Sequence, residues 1–316
     1  MDWSRFNLDR QPFRAAVDPD SYFPAPSHEA ALASVVAGFA RRDPIVLIDG
    51  ASGVGKTLIA RKWLEHLLPE VPRVVVPSAR AEKPAELLQA ILFDLGKPYQ
   101  GLTEQELRLS ATSCLLDASA ESGYPTVLVL DEAQHLSHSA LEELRLLGNL
   151  ETRRGVALFT LLVAHETLRD SLRLSGLAPL AQRVGAKATV ETLTPQESVA
   201  YLAHQIQAAG GQPESIFEAD AVPLIAGACG GIPRLLNRAG LLALELAAES
   251  GAKIVDVEAA LGSLERLELE PAESDEPNKP EEPVLLQHPS KGNSRIRDDD
   301  CGDAGPKNRA GRTRIA

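Results

Sequence analysis

Residues 50–57 read Gly-Ala-Ser-Gly-Val-Gly-Lys-Thr, directly after an apolar segment at 45–48 and directly before an amphipathic helical pattern. The stretch fits the pattern G-x-x-x-x-G-K-[ST], whose glycines let the backbone curl and point several N–H groups at phosphate oxygens. The positive end of the helix that follows adds to this attraction. A strand, a glycine-rich turn and a helix in this order therefore predict an α/β fold with a phosphate-binding site.

The residues of this loop have expected roles in binding ATP and Mg²⁺. Lys56 is expected to reach the β- and γ-phosphates, and the Thr57 hydroxyl is expected to bind Mg²⁺, which prefers oxygen ligands. The remaining ATP-binding positions are predicted to be Gly50, Ala51, Ser52, Gly53, Val54, Gly55 and Leu58. The alternative, a glycine-rich turn that fits the pattern by chance, is disfavoured by the strand-to-helix context.

Two carboxylates follow a second predicted strand. The apolar segment at 126–130 ends in Asp131-Glu132-Ala133-Gln134, and open α/β sheets bind ligands at the carboxyl ends of their strands. Asp131 is suited to bind Mg²⁺ through water, and Glu132 is suited to take a proton from the attacking water or to orient it. Together with the phosphate loop, this pair predicts ATP hydrolysis.

A further strand candidate is followed by His165. If the strands run parallel, His165 lies at the same edge of the sheet and is a candidate to contact the γ-phosphate or the attacking water. The alternative is that it only caps a helix beginning near Thr167. None of the seven histidines has the spacing of a zinc site, so no zinc is predicted.

The order of apolar segments predicts a parallel five-stranded sheet with helices on both faces at 44–193. The predicted strands are 45–48, 74–76, 126–130, 157–163 and 184–190. A small all-helical lid domain is predicted at 194–268, opened by a capping box at Thr194 and Glu197. Its predicted helices are 195–209, 218–228, 233–250 and 255–267. Residues 1–43 form a lead-in, and 269–316 have the composition of a disordered tail.

Charge and composition restrict the partners and the compartment. A net charge of −12 disfavours DNA as a partner, because phosphate binding depends on clustered Lys and Arg. A local basic face is the alternative. Three cysteines lie far apart, as in a protein of the reducing cytoplasm. No apolar run approaches the roughly 20 residues that span a bilayer, so no membrane insertion is predicted.

Taken together, these motifs resemble the AAA+ ATPases of the ExeA/GspA type, over about residues 1–268. The resemblance rests on the loop, on Asp131-Glu132-Ala133-Gln134, and on segments at 6–13, 27–32, 144–152 and 230–237. It implies ATP hydrolysis at sites shared between subunits of a homo-oligomer, either a ring or a filament. That activity would remodel or assemble a partner complex with an unknown protein client, in secretion or pilus assembly.

The resemblance also implies roles for two arginines. Arg183 lies where AAA+ proteins often carry an arginine finger that reaches a neighbouring subunit, with Arg153 and Arg154 as rival candidates. Arg234, in Gly-Ile-Pro-Arg, resembles the sensor 2 arginine that responds to the γ-phosphate. The plainer alternatives are a surface cation at a helix end for Arg183 and a salt bridge at a helix start for Arg234.

Other features leave alternatives open. Phe13, Tyr22 or Phe23 of the lead-in would stack on adenine or simply pack. ExeA/GspA proteins generally have Gln-Pro-Glu where this chain has His165-Glu166-Thr167, and larger members carry a transmembrane segment and a peptidoglycan-binding region where this chain has a polar tail.

The second functional hypothesis is an ATP-controlled switch, or a DNA-associated regulator of the transposition type, that acts by binding. Related AAA+ folds that regulate transposition or bind DNA make it the main alternative.

Overall fold

The sheet of the computed structural model has five parallel strands, in the spatial order Arg73–Val76, Thr126–Leu130, Leu158–His165, Ile45–Gly50 and Val184–Val190. The model describes residues 3–16 and 18–270, so the predicted tail lies outside the described residues from position 271. The strands are β1 (Ile45–Gly50), β2 (Arg73–Val76), β3 (Thr126–Leu130), β6 (Leu158–His165) and β7 (Val184–Val190), while β4 (Glu151–Thr152) and β5 (Gly155–Val156) form a separate hairpin. All five predicted strands are present, which confirms the predicted fold class.

Helices cover both faces of this sheet. They are α1 (Pro26–Arg41), α2 (Lys56–Glu65), α3 (Pro84–Asp94), α4 (Glu104–Ser122), α5 (His138–Leu147), α6 (Glu166–Ser171) and α7 (Ala178–Ala181). Successive side chains of a strand point to opposite faces. Accordingly, Ile45 and Leu47 join the core beneath α3, α4 and α5, whereas Val46 and Ile48 join the core beneath α1 and α2. β1 is buried along its whole length, as expected of a strand covered on both sides.

The lid domain is a bundle of five helices. They are α8 (Pro195–Ala208), α9 (Pro213–Ile216), α10 (Ala221–Ala228), α11 (Pro233–Glu249) and α12 (Val257–Arg266). The predicted capping box forms at the start of α8, where Thr194 and Glu197 satisfy each other's backbone N–H groups. The four predicted helices are present. The short α9 was not predicted, because a single turn carries too little apolar periodicity to be recognised.

The part of the lead-in that precedes α1 packs on the lid domain. Its two short 3₁₀ turns, Trp3–Phe6 and Pro19–Ser21, precede α1. Phe6, Leu8 and Phe13 are buried in the same apolar core as the lid helices. Although far from the lid domain in sequence, the lead-in therefore completes its core.

The described residues include no membrane-spanning candidate. Within residues 3–16 and 18–270, no helix combines the length and the apolar character needed to cross a bilayer.

The lead-in should contribute to the stability of the whole structure. Phe6 is only 2% exposed, so Phe6→Ala is expected to lower the free energy of unfolding by about 3–5 kcal/mol through lost burial and a residual cavity. Chemical denaturation measures this change. Phe93, which is 67% exposed, provides the matched control, and Phe93→Ala should cost less than about 1 kcal/mol. Equal effects of the two substitutions would contradict the role given to the lead-in.

Candidate nucleotide-binding site

The phosphate loop connects the end of β1 to the start of α2. Two of its glycines are required by the backbone. A side chain at Gly50 would collide with the carbonyl oxygen of Val190 on the neighbouring strand, and Gly55 caps α2 with a φ of 101°. The loop therefore lies against β7 on one side and opens directly into a helix N-terminus.

Lys56 is folded back over the loop. Its Nζ donates to the carbonyl oxygens of Gly50 at 3.0 Å and Ala51 at 2.6 Å. Burial lowers the pKa of Lys56, while the nearby carboxylates of Glu132 and Asp131 raise it. The ammonium group is thus held beside the loop N–H groups, where a phosphate would bind.

Thr57 and Asp131 meet although they are far apart in sequence. The Thr57 hydroxyl donates to Asp131 Oδ2 at 2.7 Å, and the backbone N–H of Glu132 donates to Asp131 Oδ1 at 2.9 Å. Burial raises the pKa of Asp131, whereas these hydrogen bonds and Lys56 lower it. One hydroxyl and one carboxylate fit Mg²⁺, which commonly takes few protein oxygens and completes its shell with phosphates and water.

Within the part of the chain that the structure describes, no larger cluster of metal-binding side chains competes with this pair. Among residues 3–16 and 18–270, no group of three or more His, Cys, Asp or Glu side chains could hold a metal ion.

Glu132, the residue after Asp131, has a constrained backbone conformation. It has a φ of 58°, in the left-handed region that non-glycine residues rarely adopt, and its side chain is 49% exposed. Such conformations cluster at functional sites. Gln134 Nε2 donates to Glu132 Oε2 at 2.6 Å, and Gln134 Oε1 accepts from the His165 backbone N–H at 2.9 Å. Sequence reasoning assigned no role to Gln134.

His165 has the geometry of a helix cap. Its Nδ1 accepts from the backbone N–H of Thr167 at 3.4 Å, at the start of α6. The side chain therefore takes the capping role that the sequence left as the alternative. The backbone of His165, rather than its ring, is connected to Glu132 through Gln134.

Two further residues support the loop, and the sequence did not reveal their roles. His28 on α1 is buried, and its Nε2 lies 2.8 Å from the carbonyl oxygen of Val54. A carbonyl oxygen can only accept a hydrogen bond, so Nε2 is the donor, and burial lowers the pKa of His28. Asp49, fully buried one residue before the loop, accepts from the Thr189 hydroxyl at 2.8 Å. His28 occurs in a segment that carried the family resemblance, but sequence alone contains no signal for its contact.

The lid domain reaches the loop through Arg234. Its backbone N–H donates to the carbonyl oxygen of Gly53 at 3.2 Å, and its guanidinium donates to the Ser52 hydroxyl at the same distance. Arg234 stands at the start of α11, next to Pro233. The candidate sensor is therefore beside the phosphate loop.

Arg183 does not join this group within one chain. It precedes β7 at the amino edge of the sheet, and its guanidinium donates to the carbonyl oxygen of Gly148 at 3.2 Å and to the Asn149 side chain. Arg153 and Arg154 lie in the turn between β4 and β5, and both are exposed. All three arginines thus lie towards the amino ends of the strands, at the opposite edge of the sheet from the phosphate loop.

The loop, the lead-in and the lid domain enclose a cavity of about 350 Å³. It is lined by Phe13, Arg14, Ala15, Ala16, Asp18, Ser21, Ser52, Gly53, Gly55, Lys56, Thr57, Leu58, Glu132, Tyr201, Gln205, Pro233, Arg234, Asn237, Arg238 and Leu241. Ligand sites of this kind have volumes of about 300–1,000 Å³. The cavity is therefore large enough for a nucleotide whose phosphates lie on the loop.

The three rings considered for stacking on adenine have partners within the protein. Phe13 lines the cavity but packs edge-on against Phe217, and Phe23 packs edge-on against Tyr201. The Tyr22 hydroxyl donates to Glu29 at 2.7 Å. These contacts favour ordinary packing, the second of the two roles considered for these rings.

Known proteins are similar to this chain in sequence and in fold. Residues 40–172 match the family described as AAA domain. The chain is 34% identical over 235 residues to General secretion pathway protein A of Aeromonas hydrophila, a match that covers 73% of this chain and 42% of that protein. The chain therefore spans less than half the length of this relative.

Solved structures with low identity show the same fold. Cdc6p from Pyrobaculum aerophilum aligns with a TM-score of 0.64 at 20% identity, over 84% of this chain and 71% of that one. Drosophila ORC bound to DNA aligns with a TM-score of 0.64 at 19% identity, over 83% and 66% of the two chains.

The parallel sheet, the phosphate loop and the appended helical bundle define an AAA+ P-loop protein, a class that binds nucleotides. Within that class, the 34% identity to General secretion pathway protein A over 73% of this chain supports an AAA+ ATPase of the ExeA/GspA type. This confirms the resemblance that its motifs indicated.

The burial of His28 predicts a pH dependence of stability. Because burial lowers the pKa of His28 in the folded state, the unfolded chain binds more protons below about pH 6.5, and folded-state stability falls as the pH decreases. His28→Gln keeps an N–H donor but does not titrate. Between pH 7.5 and 5.5, the wild type should therefore lose more stability than His28→Gln, by at most about 1.4 kcal/mol per pH unit. Parallel curves in denaturation experiments would contradict a His28 whose pKa is lowered by burial in the folded state.

Proposed function

We propose that the protein binds Mg²⁺-ATP in this cavity and hydrolyses it to ADP and phosphate. The observation that carries the proposal is the convergence of Thr57, Asp131 and Glu132 beside the Lys56 ammonium. Its parts supply a phosphate cradle, metal ligands and a base, which phosphoryl transfer to water requires.

Each side chain has a distinct task in this reaction. Lys56 and the loop N–H groups bind and orient the phosphate oxygens. Thr57 and Asp131 hold Mg²⁺, which supplies positive charge against the phosphate oxygens when bound. The Glu132 carboxylate orients the attacking water and accepts its proton. Arg234 adds a permanent positive charge from the lid domain, suited to the γ-phosphate.

Hydrolysis in this site would move the lid domain. Arg234 contacts the loop through both its backbone and its guanidinium, so a change at the γ-phosphate alters a contact between the two domains. The name of the relative General secretion pathway protein A supports a role in secretion. We propose that the protein acts in the cytoplasm and uses hydrolysis to remodel or assemble a partner complex in secretion or pilus assembly. The net charge of −12 disfavours DNA as that partner.

We also propose that the sites are shared in a homo-oligomer, a ring or a filament. Arg183 is the proposed finger that stabilises charge on the phosphates bound by the neighbouring copy. Its position at the edge of the sheet opposite the phosphate loop supports a role between copies rather than within one. Arg153 is exposed in the turn between β4 and β5, and it remains a rival for this role together with Arg154.

Replacing the proposed base tests the enzymatic part. Glu132→Gln removes the proton acceptor but keeps the size and polarity of the side chain, so turnover should fall by roughly 10²–10⁴-fold with ATP affinity retained. Phosphate release and a fluorescent ATP analogue measure the two quantities. The exposed Glu121 provides a control, since Glu121→Gln should change neither. Turnover by Glu132→Gln at the wild-type rate would exclude Glu132 as the base.

A mixing experiment tests the shared site. Arg183→Ala should lower turnover by roughly 10³-fold with little effect on ATP affinity, as for other arginine fingers. Mixed with Glu132→Gln, it should regain activity, because its own intact Glu132 then meets an intact Arg183 from the other variant. Arg153→Ala and Arg154→Ala in the same experiment decide between the rivals. No recovery for any of the three, or a monomer by light scattering with and without a slowly hydrolysed ATP analogue, would reject a finger acting between subunits.

A further inference from the structure

Gln134 connects the proposed base to the end of a neighbouring strand. Its Nε2 donates to Glu132 Oε2 at 2.6 Å, and its Oε1 accepts from the His165 backbone N–H at 2.9 Å. We propose that Gln134 is a positioning residue that fixes the Glu132 carboxylate relative to the carboxyl end of β6. This inference rests on the proposed hydrolysis by Glu132, and it adds a residue that does not itself touch the reacting atoms.

An amide side chain suits both ends of this bridge. The carboxylate of Glu132 needs a donor, and the N–H of His165 needs an acceptor. A glutamine side chain presents an NH₂ group and a carbonyl oxygen side by side. A carboxylate in its place would accept from His165 but would repel Glu132, and an apolar side chain would satisfy neither.

The backbone around Glu132 leaves the carboxylate as the part that must be held. The main chain is fixed by a φ of 58° and by the hydrogen bond from the Glu132 N–H to Asp131 Oδ1. The side chain beyond it is about half exposed, so its rotamers would otherwise interconvert. His135 Nε2 is 3.8 Å from Glu132 Oε2, within ion-pair distance if the ring is protonated but too far for a hydrogen bond. Gln134 therefore provides the short contact that orders this carboxylate.

The other end of the bridge lies next to the phosphate loop. In the parallel register of β1 and β6, His165 pairs with Gly50, the first residue of the loop. β6 also lies between β1 and β3 in the sheet. Gln134 thus ties the base to the one strand that separates the loop from Asp131, so the distance between base and phosphate depends on this side chain.

Kinetics of two Gln134 variants distinguish positioning from a merely structural role. Gln134→Glu keeps the shape of the side chain but places an acceptor oxygen where the amide donor faces Glu132. Gln134→Met keeps the length of the side chain but removes both hydrogen bonds. For both variants kcat should fall roughly tenfold or more, because a small misplacement of a reacting group is costly. KM for ATP should stay within about twofold of the wild type, since the phosphate loop is untouched. The loss should be larger for Gln134→Glu.

Gln207 provides a matched control. It lies on the exposed side of α8, and Gln207→Glu introduces the same charge and should leave kcat and KM unchanged. If the wild type hydrolyses ATP and the Gln134 variants keep its kcat, the inference is overturned and the proposed function stands. If the wild type hydrolyses no ATP, the proposed function fails and the inference fails with it.

Thermal melting tests the contact without using turnover. Gln134→Glu should lower the Tm through repulsion between two adjacent carboxylates. The double variant Glu132→Gln/Gln134→Glu exchanges donor and acceptor, so its Tm should return towards the wild-type value. A double variant that melts below Gln134→Glu would overturn the bridge. A lowered Tm with unchanged kcat would show a structural contact only, and would overturn the positioning role.

Discussion

The hydrogen bond from the Thr57 hydroxyl to the Asp131 carboxylate joins two parts of the site that the sheet keeps apart. The two residues follow β1 and β3, and β6 lies between these strands. The bond therefore forms only if all three parallel strands end at the same level. That level depends on the register of β6 against both neighbours, which in turn depends on apolar side chains packed on the two faces of the sheet.

Burial and charge act against each other in this site. Burial lowers the pKa of Lys56 and raises that of Asp131, and in each case it disfavours the charged form. The opposite charge of the other residue partly offsets the effect. A cation and carboxylates that compensate one another in a half-buried cleft are well suited to a ligand that itself carries phosphate charges and a divalent cation.

The cavity is completed by segments from both ends of the described chain. The first part of the lead-in packs on the lid helices. Arg234 of the lid contacts the Ser52 side chain of the loop, and His28 of α1 contacts the carbonyl oxygen of Val54. Gln205 of α8 donates to the backbone of Ser21, and Asn237 of α11 donates to that of Arg14. A movement of the lid domain would therefore also move the part of the lead-in that lines the cavity.

Local sequence determined much of the fold and the first half of the site. The loop at 50–57, the strand before Asp131 and Glu132, and the capping box of α8 are encoded by residues close together in the chain. Their patterns follow from backbone geometry and hydrogen bonding within a few positions. The five strands and four of the lid helices were predictable for the same reason.

Only the tertiary structure decided which distant residues meet. The contacts of His28 with Val54, of Gln134 with the His165 backbone and of Arg234 with Ser52 join residues between 26 and 182 positions apart. No local periodicity records such separations. His165 is an example: its ring caps α6, while its backbone N–H donates to Gln134, which in turn donates to Glu132. A sequence pattern places a residue at the edge of a sheet, but the packing of the neighbouring elements decides which of its atoms act there.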